Sequence, residues 1–239
     1  MKRRTLGVLL FSFYLAAMSA QLIAYLSEFL KEERLEVLQS SLRFRTRYLT
    51  VCLEDIYQSQ NASAVLRSCD AFGVQDVHII EDKNQYQLNP MVTRGSSKWL
   101  NLHKYNKGSN PSLDAINSLR EKGYRIVATS PHIGDTSLED FDLSKGKCAL
   151  VFGTELTGIS STVEQNADEF LRIPMYGFVE SLNISVSAAI ILHYLTLRLR
   201  STNLGWQLSK DEQESLLLQW LKISIRESGK IIQRYNELT

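Results

Sequence analysis

Between residues 48 and 200, short apolar runs of strand length alternate with segments whose apolar residues recur at helical spacing. That alternation constrains the fold more than any other feature, because strand, helix and strand again is the pattern of a mostly parallel sheet covered on both faces. KCALVFG (147–153) is the clearest central strand, an unbroken apolar run closed by a glycine. YLTVCLEDI (48–56), VHII (77–80), LHKY (102–105), YRIVATS (124–130) and FLRIP (170–174) read as further strands. Helices are expected over 61–72 with Gly73 as its cap, over 111–122, over 161–167, over 181–200 and as a single final helix over 209–235. The fold class is therefore α/β, flanked by helices at both ends.

Composition narrows the function only by exclusion. The 239 residues are 44% hydrophobic and 22% charged with a net charge of +1, so no overall basic field announces a nucleic acid. Cys52, Cys69 and Cys148 form no C-x-x-C pair, and the four histidines lack ligand spacing; no metal and no disulfide framework are expected. Neither G-x-G-x-x-G nor G-x-x-x-x-G-K-[ST] follows a strand, and no G-x-S-x-G elbow occurs. Any ligand of this sheet is held by another device.

The N-terminus allows three readings. MKRRTLGVLLFSFYLAAMSA (1–20) has the layout of a signal peptide, with a poor cleavage signal. The uncharged stretch from Thr5 to Ser27 is long enough to span a membrane. Alternatively, Met18 is the start and residues 1–17 are an upstream extension, followed at once by a helix with Leu22, Tyr25, Leu26, Phe29 and Leu30 on one stripe, ending near Leu42.

Three segments place polar residues where the pattern calls for core. In NASAVLRSCDAFG (61–73), Asn61 is positioned to cap a helix, and Arg67 sits among apolar neighbours, either solvated or paired with Asp70. In FGTELTGIS (152–160), Gly153 and Gly158 leave bare backbone for close approach to a ligand, and Glu155 is either a helix-entry carboxylate or a functional one. In IPMYGFVESLNISV (173–186), Ser181 reads as a helix N-cap, while Asn183 inside the first turn of so apolar a helix calls for a polar partner.

Taken in order, these segments resemble the three motifs of the SpoU family of RNA 2′-O-methyltransferases, in its TrmH-type branch. Asn61, Ala64, Arg67, Ala71 and Gly73 match the first; Phe152, Gly153, Glu155, Gly158 and Ile159 the second; and Ile173 to Val186 the third without a gap. The resemblance implies a C-terminal trefoil knot, a homodimer formed through it, and S-adenosylmethionine held largely by backbone groups at Thr129, Gly153, Ile173, Met175 and Leu182. It implies that Arg67 is the catalytic residue, either taking the ribose 2′-hydroxyl proton or clamping an RNA phosphate, oriented by Asn61, Glu155, Ser181 and Asn183.

The same resemblance implies cytoplasmic tRNA, at the conserved D-loop guanosine, as substrate. The alternatives are rRNA or another tRNA nucleotide, and, from a different class, RNA binding without catalysis. Candidate RNA contacts are Arg43, Arg45, Arg47, Arg94 and Lys98, with Trp99 either stacking or core, and a basic C-terminal tail from Arg198 to Arg234. Since donor and tRNA are cytosolic, the upstream-extension reading of residues 1–17 is favoured; without Lys2, Arg3 and Arg4 the balance turns slightly acidic. The expected organisation is then 18–47 as a helical RNA-binding extension, 48–200 as the methyltransferase domain and 201–239 as a C-terminal helical extension.

Overall fold

The computed structural model describes residues 19–84, 90–93, 95–130, 135–154 and 157–238; the N-terminal segment 1–17, Arg94 and Glu155 lie outside them. In chain order the elements are α1 (Glu32–Leu42), β1 (Leu49–Glu54), α2 (Ser59–Phe72), β2 (Asp76–Ile80), β3 (Asn101–Tyr105), α3 (Pro111–Glu121), β4 (Arg125–Thr129), β5 (Thr136–Ser137), β6 (Cys148–Phe152), α4 (Ser161–Asn166), β7 (Glu169–Arg172), α5 (Ile184–Arg200), α6 (Lys210–Ser224) and α7 (Ser228–Leu238). Residues Thr46–Trp206 form one compact unit, and the segments 19–45 and 207–238 together form a second.

In the larger unit the strands make one sheet in the order β3-β2-β1-β6-β4-β7-β5, and every pairing is parallel. The central strands are buried along their whole length, so the period of two divides their side chains between two apolar cores rather than between core and water. Leu49, Val51 and Leu53 of β1 and Cys148, Leu150 and Phe152 of β6 pack beneath α2 and α5. Cys52, Ala149 and Val151 point the other way, against α3 and α4. Each fully buried Val, Leu or Phe side chain here is worth roughly 1.5–3 kcal/mol. The three cysteines are buried and none is in a disulfide, and burial pushes the Cys148 thiol up to about 12.

Several boundaries differ from expectation for identifiable reasons. Helix α2 begins at Ser59, so Asn61 lies within its first turn and the cap position falls to Gln58. Helix α5 begins only at Ile184, because Asn183 rather than Ser181 is its N-cap, accepting from Ser185 N at 2.9 Å. The single final helix is two: Ile225 is extended and Glu227 takes a left-handed φ of 57° between α6 and α7. The N-terminal helix likewise breaks near residue 30 and restarts at Glu32, whose acidic first turn suits a helix N-terminus.

The smaller unit carries its own packing. Leu26, Leu38, Trp220 and Leu221 are buried in it, and Tyr25 meets Tyr235 at 4.9 Å between ring centres. Arg45, expected to face RNA, is instead only 4% exposed, its guanidinium 5.1 Å from the Trp220 ring. Among the described residues, no helix is long and apolar enough to cross a membrane.

At the β2–β3 edge of the sheet, Arg47 donates to Asp76 at 2.7 Å and His103 Nε2 lies 3.3 Å from the other carboxylate oxygen. Arg47, a second expected RNA contact, is thus committed to an internal ion pair. Burial opposes the Asp76 charge, but the His103 hydrogen bond and the Arg47 guanidinium outweigh it and hold the carboxyl near 2. His78 is stacked on His103 at 4.6 Å, with Tyr105 Oη 2.9 Å from its Nδ1. Burial, reinforced by His103, pushes it down to about 3.

Both shifts are depressions, so in each case the unfolded chain binds the proton first as pH falls. The His78 contribution to stability is complete above about pH 6.5 and erodes from there toward 3, and that of Asp76 erodes below about 4. Thermal unfolding followed by circular dichroism is expected to show Tm falling between pH 7 and pH 5, with His78→Phe flattening that slope.

Candidate functional site

A cavity of about 550 Å³ opens where β4, β6 and β7 end. Those are the carboxyl ends of parallel strands, where an open α/β sheet exposes loops and unpaired backbone groups to a ligand. Thr129 and Ser130 enter from β4, Phe152, Gly153, Thr154, Thr157 and Gly158 from β6 and its loop, Leu171, Ile173 and Met175 from β7, and Glu180 to Ile184, Ser187 and Ile191 from the loop before α5 and the first turns of that helix.

The β6 loop is shaped by two glycines. Thr154 N donates to Gly158 O at 2.8 Å and Gly158 N to Thr154 O at 3.0 Å, folding the loop back on itself. Gly158 supplies the positive φ of 70° that this reversal requires. A Cβ on Gly153 would lie 2.2 Å from the carbonyl carbon and oxygen of Gly158, so the backbone there comes as near as two chains can. The loop returns to the sheet at Ser160. Its amide (2.8 Å) and hydroxyl (2.6 Å) both donate to the carboxylate of Glu54 at the end of β1. The same carboxylate accepts from Ser112 Oγ of α3 at 2.5 Å and is only 3% exposed. Three hydrogen bonds stabilise the buried charge and fix the loop.

On the other wall, Asn183 Oδ1 accepts from Ser185 N and from Ser185 Oγ (2.6 Å), closing the first turn of α5. Its Nδ2 donates to Asn61 Oδ1 at 3.2 Å, and Asn61 Nδ2 in turn donates to Gln58 Oε1 at 3.2 Å. The polar partner that the sequence demanded for Asn183 is therefore Asn61, 122 residues earlier in the chain.

Of the residues singled out from sequence, Thr129, Gly153, Ile173, Met175, Leu182, Ser181 and Asn183 all line the cavity. Asn61 reaches it through Asn183. Arg67 does not line it: six residues beyond Asn61, about 9 Å along the α2 axis, it is exposed and makes no ion pair among the described residues. Arg43 and Lys98 are exposed, Lys98 lying 4.7 Å from the ring centre of a half-buried Trp99. Two tail arginines serve backbone carbonyls instead: Arg198 donates to Glu139 O and Arg200 to Phe72 O.

Sequence reasoning missed Glu54 and Glu180. Glu54 had a visible signal, a carboxylate ending an otherwise apolar strand. Glu180 had none, yet it is the one ionisable side chain among the described residues lining the cavity.

Residues 48–193 match the SpoU rRNA Methylase family. The tRNA (guanosine(18)-2'-O)-methyltransferase of Borreliella burgdorferi is 45% identical over 200 residues, spanning 84% of this chain and 89% of that protein. The protein of the same name from Aquifex aeolicus is 31% identical over 192 residues, spanning 79% and 89%. Among solved structures, the A. aeolicus TrmH/SpoU tRNA modifying enzyme superposes with a TM-score of 0.71 at 29% identity, over 82% of this chain and 98% of that one. AviRb from Streptomyces viridochromogenes, solved with AdoMet, shares the fold at a TM-score of 0.57 and 24% identity, over 68% and 65%.

The absence of room at Gly153 gives a direct test of the cavity. Gly153→Ala must push the loop off Gly158 and Ile159. Expected are a lower Tm and a loss of small-molecule binding in the cavity by isothermal calorimetry. An unchanged affinity would show that the close approach is dispensable.

Proposed function

The chain belongs to the SpoU rRNA Methylase family, and from that premise we propose that it 2′-O-methylates a ribose in tRNA, at the D-loop guanosine, with S-adenosylmethionine as donor. The observation that carries this reading is the meeting of the second and third sequence motifs on one cavity, with Asn61 of the first bonded to its wall. The choice of tRNA and of guanosine rests on the relatives' names. A donor and a substrate of this kind support a cytoplasmic location.

The cavity residues fit such a donor. The volume of about 550 Å³ is that of a small-molecule site. Backbone at Gly153 and the hydroxyls of Thr129, Ser130 and Thr157 offer hydrogen bonds without a phosphate cradle, and Leu171, Ile173 and Ile191 supply apolar surface. Glu180 offers the negative charge that a cationic ligand calls for. Bound there, the donor supplies an electrophilic methyl group on a sulfonium. The protein's own task is to hold a ribose hydroxyl in line with that methyl, the hydroxyl proton passing to water as the methyl is transferred. Ser181 and Asn183 are placed to orient the ribose from the cavity rim. Arg67 offers an exposed guanidinium suited to gripping a phosphate bidentately, and a guanidinium is a poor proton acceptor. Arg67 is thus assigned the phosphate.

We also propose the trefoil knot and the homodimer. Support for the knot is that the loops after β6 and β7 line one cavity beside β4, with β6 inserted between β1 and β4. Support for the dimer is apolar exposure. Helix α5 buries one face in the core, yet Val186, Ile190 and Leu197 are exposed on it, and Tyr176, Phe178 and Val179 are exposed in the loop before it. A helix that leaves apolar residues exposed beyond its buried face is suited to an interface. The full chain of 27.2 kDa is expected to sediment as a dimer, and the pair Ile190→Asp and Leu197→Asp to sediment as a monomer.

The direct test is methyl transfer from labelled S-adenosylmethionine to unmodified tRNA transcripts. The label is expected in one D-loop ribose, with Arg67→Ala lowering the rate by about 100-fold through lost positioning of the RNA. Transfer to rRNA alone would overturn the substrate, and donor binding without transfer to any RNA would overturn the enzyme reading.

A further inference from the structure

We propose that Gln58 is a positioning residue of the transfer site, holding the Asn61 and Asn183 side chains in the one orientation in which Asn183 both caps α5 and faces the cavity. The inference rests on the reading of Asn61 and Asn183 as site residues.

The argument begins at a group whose polarity is fixed. The amide of Ser185 can only donate, so Asn183 must turn Oδ1 toward it, at 2.9 Å. Its Nδ2 then points toward α2 and requires an acceptor, which Asn61 provides with Oδ1 at 3.2 Å. That leaves Asn61 Nδ2 pointing back along α2, where it requires a second acceptor. Gln58 Oε1 lies there at 3.2 Å. A backbone donor in α5 thereby dictates the sense of three side-chain amides in series, and Gln58 is the last of them. Reversing any one would set donor against donor at the next contact.

For all that its exposed position asks, Gln58 could be any polar residue. It occupies the cap position of α2 but makes no side-chain capping bond to that helix. It is also exposed, so burial does not select its side chain. What it does supply is the acceptor that stops Asn61 from rotating. Through Asn61, that acceptor sets where the cavity wall stands relative to the helix carrying Arg67. The useful atom is Oε1 alone, which makes the role testable by chemistry rather than by size.

The experiment is steady-state transfer to tRNA by the full-length protein, with donor affinity by calorimetry and Tm by scanning calorimetry, for Gln58→Leu, Gln58→Glu, Asn61→Ala and the double variant Gln58→Leu/Asn61→Ala. Gln58→Leu is expected to lower kcat about tenfold while donor Kd and Tm stay at their starting values. Gln58→Glu keeps an acceptor oxygen and is expected within about twofold of the starting enzyme. The double variant is expected no slower than Asn61→Ala, because both substitutions break one relay. An unchanged kcat in Gln58→Leu, an equal loss in Gln58→Glu, or additive losses in the double variant would each overturn the proposal. If Asn61→Ala slows transfer and Gln58→Leu does not, Gln58 alone loses its role. If Asn61→Ala leaves transfer intact, the assignment of Asn61 to the site falls first and the relay with it.

Discussion

The buried carboxylate of Glu54 is the point through which the sheet, α3 and the cavity loop are held to one another. A charge with 3% exposure is costly unless its lone pairs are met, and here Ser112 and Ser160 meet them with three donors. Two of those donors belong to the residue that ends the β6 loop and caps α4. The loop is therefore tied at both ends, by strand pairing before Gly153 and by the carboxylate after Ile159. A backbone-built ligand site depends on such fixation, because backbone groups cannot adjust their direction independently of the chain that carries them.

The two walls of the cavity are made in different ways. The sheet side is assembled by glycine, strand ends and close backbone approach, and it tolerates almost no change of volume. The α5 side is assembled by side-chain amides and hydroxyls at a helix N-terminus, where geometry is set by hydrogen-bond direction. Arg67 belongs to neither wall. It stands exposed along the helix whose first turn is bonded to the second wall, so its position is mechanically coupled to that wall.

What the residues disclosed in advance followed from how local each signal was. Gly153, Gly158 and Asn183 could be picked out because a glycine ending an apolar run, or an amide opening an apolar helix, conflicts with its own surroundings. The strands were legible because β6 is apolar at every position and β1 at all but Thr50 and Glu54. Cap positions were not: Asn61 and Ser181 are good caps in isolation, but Asn61 bonds to Asn183 from inside α2, and Asn183 is the cap of α5. Arg45 and Arg47 failed as surface cations because burial against Trp220 and pairing with Asp76 involve residues 175 and 29 positions away. Glu180 could not be told from an ordinary loop carboxylate, because only the convergence of three strand ends makes its position distinctive. The break between α6 and α7 lies in SIRESG, where a left-handed glutamate is not signalled by any glycine or proline at that position.

The smaller unit is discontinuous, built from residues 19–45 and 207–238 with the whole sheet inserted between them. Its two halves meet in contacts such as Tyr25 with Tyr235 and Arg45 with Trp220. A ribosome delivers the first half early and the second last. The N-terminal helices must therefore remain without their packing partners throughout synthesis of the sheet, whose strands and helices all lie within an unbroken stretch of chain and can condense as they emerge. Order of completion thus differs from order of synthesis. The inserted region matures first, and the unit bearing residues 19–45 closes only when residues 207–238 have been made.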